Sequence, residues 1–126
     1  MKNKKKSVTC FSIAEETYKD NPEKLAHFKK QREEQGFDDT ETWHLDKTFA
    51  LFIIPRLKRF IQVNNGVPHG ETEKSYNEKL KFIVKSFEEY YLTFDDETSL
   101  EKEKEKLLNA KQAMEYLKDL WFGLWW

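Results

Sequence analysis

The chain has 126 residues, a length that fits one domain and can bury a core without a disulfide or a structural metal. Acidic and basic residues nearly cancel to a formal net charge of -1, which excludes a globally basic nucleic-acid binder and an acidic nucleic-acid mimic. A single cysteine, Cys10, excludes an internal disulfide, and no run reaches the roughly 20 apolar residues of a membrane span.

Glycine and proline are sparse, at 4 and 3 residues, while aromatic side chains make up 15% of the chain. Few helix breakers and many large apolar side chains favour helices over strands. We expect an all-α fold, a helical bundle of three long helices plus shorter N-terminal helices. Residues 1–7, rich in lysine and without an acid, are expected to form a disordered basic tail, and residues 8–126 a single helical domain.

Two short helices are expected first. Ser12 and Glu15 have the spacing of a capping box, in which each side chain satisfies a free backbone N–H, and predict a helix of about two turns. A second helix is predicted between Asn21 as N-cap, with Pro22 at its first position, and Gly36 as its end. Because it has few apolar residues, this second helix is expected to lie on the surface.

The next helix is predicted over about 40–63 and is expected to be the central element. Asp38 and Glu41 form another capping-box pair before it, and Gly66 marks the turn after it. Pro55 lies inside this helix, removes one backbone hydrogen bond and crowds the preceding turn, so a kink is predicted. The helix has two apolar sectors, as expected if neighbours contact both sides: one holds Trp43, Asp46, Ala50, Ile53, Ile54, Leu57 and Ile61, the other Leu45, Phe49, Phe52 and Val63.

Asp46 is the polar exception in the first sector. An ionised carboxylate is costly to bury without partners, which leaves two interpretations open. In the structural one, Asp46 accepts hydrogen bonds from neighbouring groups, for which Tyr76, Tyr90 and Tyr91 are candidates. In the functional one, Asp46 lines the mouth of a binding pocket together with Trp43 and Arg56.

Two more long helices are predicted, over about 71–93 and about 99–123. The expected buried stripe of the first consists of Tyr76, Leu80, Ile83, Phe87, Tyr90, Tyr91 and Phe94. The expected buried stripe of the second consists of Leu107, Ala110, Met114, Leu117, Trp121 and Leu124.

Residue patterns of catalysis and metal binding are incomplete. Glu41 and His44 form one half of a Glu-x-x-His pair, and a di-iron site requires a second copy on another helix, which the chain lacks. Cys10 has no histidine or cysteine at ligand spacing, and no glycine-rich loop carries the Lys-Ser/Thr of phosphate binding. We therefore predict no catalytic residue, no metal and no cofactor.

Two surface features suggest binding. Arg56 and Arg59, with the lysine between them, form a basic patch that either contacts phosphates or is a solvated helix flank neutralised by glutamates. At the C-terminus, Phe122, Trp125 and Trp126 crowd a position that is normally polar. They either close the core or form an interface with a partner protein or a second copy of the chain.

Residues 36–68 carry a spaced pattern of an acidic lead-in, Thr-Trp-x-Leu-Asp, an apolar helix reaching Pro-Arg-Leu, and a turn with Asn-Gly-x-Pro. Its residues here are Thr42, Trp43, Leu45, Asp46, Pro55, Arg56, Leu57, Gly66 and Pro68. The pattern resembles a family of small bacteriophage-encoded hypothetical proteins whose activity is not established. The resemblance implies a phage gene product in the bacterial host cytoplasm.

These features predict a non-enzymatic phage accessory protein that binds a host or phage macromolecule, as a host-modulating or anti-defence factor, and self-associates. The predicted contact residues are Trp43, Asp46, Arg56, Arg59, Phe122, Trp125 and Trp126. One alternative is a small-ligand or nucleotide-binding enzyme or sensor that uses Asp46 and Arg56. A second alternative is a nucleic-acid-binding protein that uses the lysine tail and Arg59.

Overall fold

The computed structural model of this chain describes residues 11–93 and 99–125. Within these ranges the ordered elements are helices and short 3-10 turns, with no strand, so the predicted all-α class is confirmed. None of the described helices combines the length and the apolar character needed to cross a membrane. The predicted basic tail, Cys10, Phe94 and Trp126 lie outside the described residues.

The described residues form two compact units, which divide between Phe52 and Ile53. We call the part up to Phe52 unit 1 and the part from Ile53 unit 2, and each is described by itself. The predicted single domain over residues 8–126 stays a prediction.

Unit 1 begins with two helices, α1 (Ala14–Thr17) and α2 (Pro22–Gln35). The predicted ends of α2 are confirmed: the Asn21 side chain accepts a hydrogen bond from the Lys24 N–H at 3.1 Å, and Gly36 ends the helix with a φ of 89°. Helix α1 is a single turn whose N-cap is Ile13, so the capping box predicted at Ser12 is wrong. The Ser12 hydroxyl oxygen accepts from the Ala14 N–H at 3.1 Å, and the hydroxyl donates to Asp38, but within the described residues no reciprocal hydrogen bond from Glu15 completes a capping box.

The capping box of Asp38 and Glu41 is confirmed, but it caps a separate 3-10 turn, Asp39–Thr42. Helix α3 (Leu45–Val63) starts after that turn, later than the predicted position 40. Trp43 therefore precedes α3, so its assignment to the first apolar sector of that helix is wrong. Asp46 lies in the first turn of α3, at an end of the helix rather than along its length.

Unit 2 contains the second half of α3, then α4 (Glu73–Tyr91) and α5 (Leu100–Leu120), which continues into a 3-10 turn, Trp121–Gly123. The predicted stripe of α4 is confirmed at its four most buried members, Tyr76, Leu80, Ile83 and Phe87. Opposite them lie the buried residues of α5, which are Ala110, Ala113, Leu117 and Leu120.

The predicted buried stripe of α5 is wrong at three positions. Leu107, Met114 and Trp121 are exposed, and Ala113 and Leu120 lie in the core instead. The buried face is displaced round the helix from the predicted one, with Ala110 and Leu117 shared by both.

The second half of α3 attaches to α4 through two kinds of contact. Ile54 and Leu57 are buried, the rings of Phe60 and Tyr76 meet edge to face at 6.4 Å, and Lys58 forms an ion pair with Glu88 at 2.6 Å. Pro55 lies inside the helix, as predicted. The three-helix bundle with a central, kinked α3 stays a prediction.

Candidate functional site

A buried polar cluster, which we call the Asp38 cluster, holds unit 1 together and consists of Ser12, Arg32, Asp38, Thr40 and Glu41. The Asp38 side chain is fully buried and accepts hydrogen bonds from the Thr40 N–H at 2.8 Å, the Thr40 hydroxyl at 2.5 Å, Arg32 at 2.5 Å, and the Ser12 hydroxyl. Burial alone would raise the pKa of Asp38, but the hydrogen bonds from Ser12, Thr40 and Arg32 outweigh burial and lower it. Asp38 is therefore a stabilised buried anion.

Glu41 extends this cluster. Its carboxylate accepts from the Asp38 N–H at 2.9 Å and from the Phe11 N–H at 2.8 Å, while its backbone carbonyl accepts from the Thr48 hydroxyl at 2.8 Å. The cluster thus ties the residues before α1, the last turns of α2 and the first turn of α3 to one 3-10 turn. The sequence predicted Asp38 and Glu41 as a capping pair, but it assigned Ser12 to a different cap and gave no role to Arg32, which lies six residues before Asp38 on α2.

An apolar groove of about 650 Å³, which we call the unit 1 groove, lies beside this cluster. Its apolar lining consists of Phe11, Phe37, Leu45, Phe49 and Phe52. Polar side chains in the lining already have partners within the unit: Gln35 donates to the Phe37 carbonyl, and Thr42 donates to the Asp39 carbonyl. The groove therefore presents apolar surface.

Trp43 and Asp46, two of the predicted binding residues, lie in unit 1. Trp43 is 46% exposed, contacts the Tyr18 ring edge to face at 6.2 Å, and lines a cleft of about 470 Å³ with Phe28 and His27. Asp46 is exposed, so its assignment to a buried apolar sector of the helix is wrong, while its two interpretations stay predictions. A carboxylate in the first turn of a helix is favoured by the partial positive charge there and needs no burial.

Arg56 and Arg59, the other two predicted α3 residues, belong to unit 2. Arg56 is half-buried, and Arg59 is exposed and donates to the Gln62 side chain at 3.1 Å. The lysine between them, Lys58, is paired with Glu88. This ion pair agrees with the interpretation of the basic patch as a solvated helix flank neutralised by glutamates.

Phe122 and Trp125 line a second cleft, which we call the C-terminal cleft, of about 370 Å³ in unit 2. It is lined by Asn65, Gly66, Val67, Pro68, His69, Phe122, Gly123 and Trp125. Phe122 is 90% exposed and Trp125 is 75% exposed. These two side chains therefore lie beside a concave surface of the loop after α3, and they leave most of their area open to a partner.

Two contacts position this cleft. The Tyr76 hydroxyl donates to the Gly123 carbonyl at 3.0 Å, which ties the C-terminal turn to α4. A Cβ at Gly123 would come within 3.1 Å of Pro68 Cβ, so glycine lets the turn lie close against the loop. The sequence predicts a turn at this loop and contains no signal that the loop meets the C-terminal residues.

Tyr76 is a protonated donor over the whole physiological range. Burial raises the pKa of its hydroxyl, and the negative charge of Glu71 raises it further. Glu71 itself accepts from Lys79 at 2.7 Å and from the Ser75 hydroxyl at 2.8 Å, and these hydrogen bonds lower its pKa. The ion pair holds the end of the loop against α4.

Replacing Tyr76 with phenylalanine is expected to lower the free energy of unfolding by about 1 kcal/mol, because one hydrogen bond is lost and the Gly123 carbonyl is left without that donor. Urea unfolding followed by far-UV circular dichroism measures the change. The matched control is Tyr90→Phe on the same helix, where the side chain is 37% exposed and the effect should stay near zero. Equal losses in both variants would contradict a role for the Gly123 contact.

Within the described residues, no three metal-ligating side chains come together. Comparison of the chain with models of known families, with curated proteins and with solved structures finds no match.

Proposed function

We propose that this protein is a non-enzymatic interaction protein that binds a host or phage macromolecule and self-associates, with the C-terminal cleft as its main contact surface. The resemblance over residues 36–68 supports a phage accessory factor acting in the bacterial cytoplasm. The proposal assumes the predicted bundle, with α3 central and bent near Pro55, as the scaffold of this surface. Trp43 and Asp46 in unit 1, and Arg56 and Arg59 in unit 2, are proposed as further contacts.

The observation that carries the proposal is the exposure of Phe122 and Trp125, at 90% and 75%, beside a cleft. Large aromatic side chains release the most free energy when they leave water, and they dominate the contacts of protein interfaces. A partner can bury a tryptophan and a phenylalanine that lie next to a preformed cleft at a small cost in conformational entropy of the protein itself. These features support recognition of an apolar or aromatic surface.

The experiment compares the full wild-type chain with the double variant Phe122→Ser/Trp125→Ser. Each is immobilised and exposed to lysates of infected and uninfected bacteria, and captured proteins are identified by mass spectrometry. Sedimentation velocity on the same samples gives the mass in solution. We expect the wild type to sediment above the monomer mass and to capture a defined partner, and the double variant to lose both properties.

Leu92→Ser is the matched control, because Leu92 is 41% exposed and lies outside the C-terminal cleft. This variant should sediment and capture the partner like the wild type. That result would show that the loss of an exposed apolar side chain elsewhere does not abolish partner binding or self-association. A wild-type protein that is strictly monomeric, and a double variant that keeps every captured protein, would contradict the proposal.

A further inference from the structure

One side of α5 carries a straight row of exposed apolar side chains, which we call the α5 row. Its members are spaced by seven residues and are Leu100, Leu107 and Met114 within α5 and Trp121 at the start of the 3-10 turn that continues it, exposed by 70%, 39%, 50% and 50%. Seven residues are close to two helical turns, so successive members drift by only about 20° and the row runs for about 30 Å along the helix. It lies beside the buried alanine and leucine face rather than within it.

A row of lysines runs beside the α5 row and repeats every second turn of the helix. Lys104, Lys111 and Lys118 each come four residues after a member of the row, which places them on the same side of the helix. All three are exposed. Lys118 donates to Glu115 at 3.0 Å, which draws it toward the acidic residues farther round the helix.

An apolar row with a lysine row along one edge has the pattern of one strand of a coiled coil, in which apolar residues meet and flanking charges select the partner. Exposed apolar residues in line are unusual on a surface that nothing covers. The lysines define the charge that a covering helix must carry, because acidic side chains along its facing edge would pair with them.

We propose that the α5 row docks an amphipathic helix of another protein, one that carries acidic residues beside its apolar stripe at the same seven-residue spacing. None of the residues of the α5 row lines the C-terminal cleft, although Trp121 directly precedes Phe122, so the inference goes beyond the proposed function. The charges disfavour a second copy of this chain, because an antiparallel copy would set the lysine row against itself. They also disfavour an anionic lipid surface, because exposed acids on the same helix, including Glu103 and Glu115, would face the headgroups.

The test uses the full chain and two synthetic helical peptides of three heptads. Both have leucine at the first and fourth positions of each heptad; one has glutamate, the other lysine, at the flanking fifth and seventh positions. Fluorescence anisotropy of the labelled peptides measures binding. We expect the glutamate peptide to bind, with an affinity that falls as salt is raised, and the lysine peptide to bind at least about tenfold more weakly.

Charge reversal is the decisive comparison. The triple variant Lys104→Glu/Lys111→Glu/Lys118→Glu should lose the glutamate peptide and gain the lysine peptide, while its circular dichroism stays that of the wild type. Lys85→Glu on α4, where the lysine is also exposed, is the control and should leave both affinities unchanged. The triple variant should still capture the partner of the C-terminal cleft, which separates failure of this inference from failure of the proposed function.

Three outcomes would overturn the inference. The first is equal binding, or no binding, of the two peptides to the wild-type chain. The second is self-association that Met114→Ser abolishes, which would assign the row to a second copy. The third is binding to phosphatidylglycerol vesicles, but to neither peptide, which would assign it to a membrane.

Discussion

Replacing Asp38 with asparagine is expected to lower the free energy of unfolding by about 3–5 kcal/mol, the usual result of breaking a buried ion pair by removing one partner. The asparagine amide presents hydrogen where the carboxylate accepts from Arg32 and the Ser12 hydroxyl. It also leaves the Arg32 guanidinium, whose side chain is 20% exposed, without its close counter-ion. Urea unfolding of wild type and variant at neutral pH measures the difference.

The same pair of proteins gives a pH dependence with a defined sign. Because the pKa of Asp38 is lower in the folded protein than in the unfolded chain, its contribution to stability is complete above the unfolded value of about 4. The contribution is lost as the pH falls through the folded pKa. The stability difference between wild type and Asp38→Asn should therefore narrow on acidification below about pH 4.

Asp39→Asn is the control for both measurements. Asp39 is the neighbouring acid and its side chain is exposed, so its replacement should change the free energy of unfolding by less than about 0.5 kcal/mol. A similar small loss for Asp38→Asn, or a difference that stays constant down to pH 3, would show that the Asp38 cluster does not hold a stabilised anion.

The second large effect is expected from Phe87→Ala, which should lower the free energy of unfolding by about 3–5 kcal/mol. Phe87 is 2% exposed in the core of unit 2, and truncation would remove its contacts and leave a cavity. Thermal unfolding by calorimetry and urea titration measure the loss.

Phe122→Ala makes the identical chemical change at a side chain that is 90% exposed. Phe122→Ala should change the free energy of unfolding by less than about 0.5 kcal/mol and should weaken capture of the partner. Phe87→Ala should mainly lower the free energy of unfolding. If Phe122→Ala is as destabilising as Phe87→Ala, the C-terminal aromatic residues close the core and do not form an interface.

Residues whose roles depend on near neighbours in the chain were predictable. Asn21, Pro22 and Gly36 delimit α2, and the Asp38–Glu41 pair forms a capping box, because these signals act within one turn of backbone. Four of the six buried positions of α4 were also predictable, since they follow one helical stripe, whereas Val84 and Ser86 are buried outside that stripe and Tyr90 within it is exposed. The helical class itself follows from few breakers and a high aromatic content.

Residues whose roles depend on distant parts of the chain were not predictable. The start of α3 was predicted too early, because the capping box at Asp38 indicates the start of a helical turn but not whether that turn continues as an α-helix. Asp46 was placed on a buried face because a helical projection ignores where the helix ends. The buried face of α5 was also predicted wrongly, because the sequence of α5 alone does not indicate which of its side chains, such as Ala113, pack against α4.

The amino-acid sequence by itself determined the helices, most of their ends and the surplus of aromatic side chains at the C-terminus, because hydrogen bonding and periodicity within a few residues set these features. Only the tertiary structure decided that Asp38 is the buried anion and Asp46 the exposed one, and that Phe122 and Trp125 stand beside the loop at Pro68. Burial depends on which surfaces meet, and those surfaces come from residues that lie tens of positions apart.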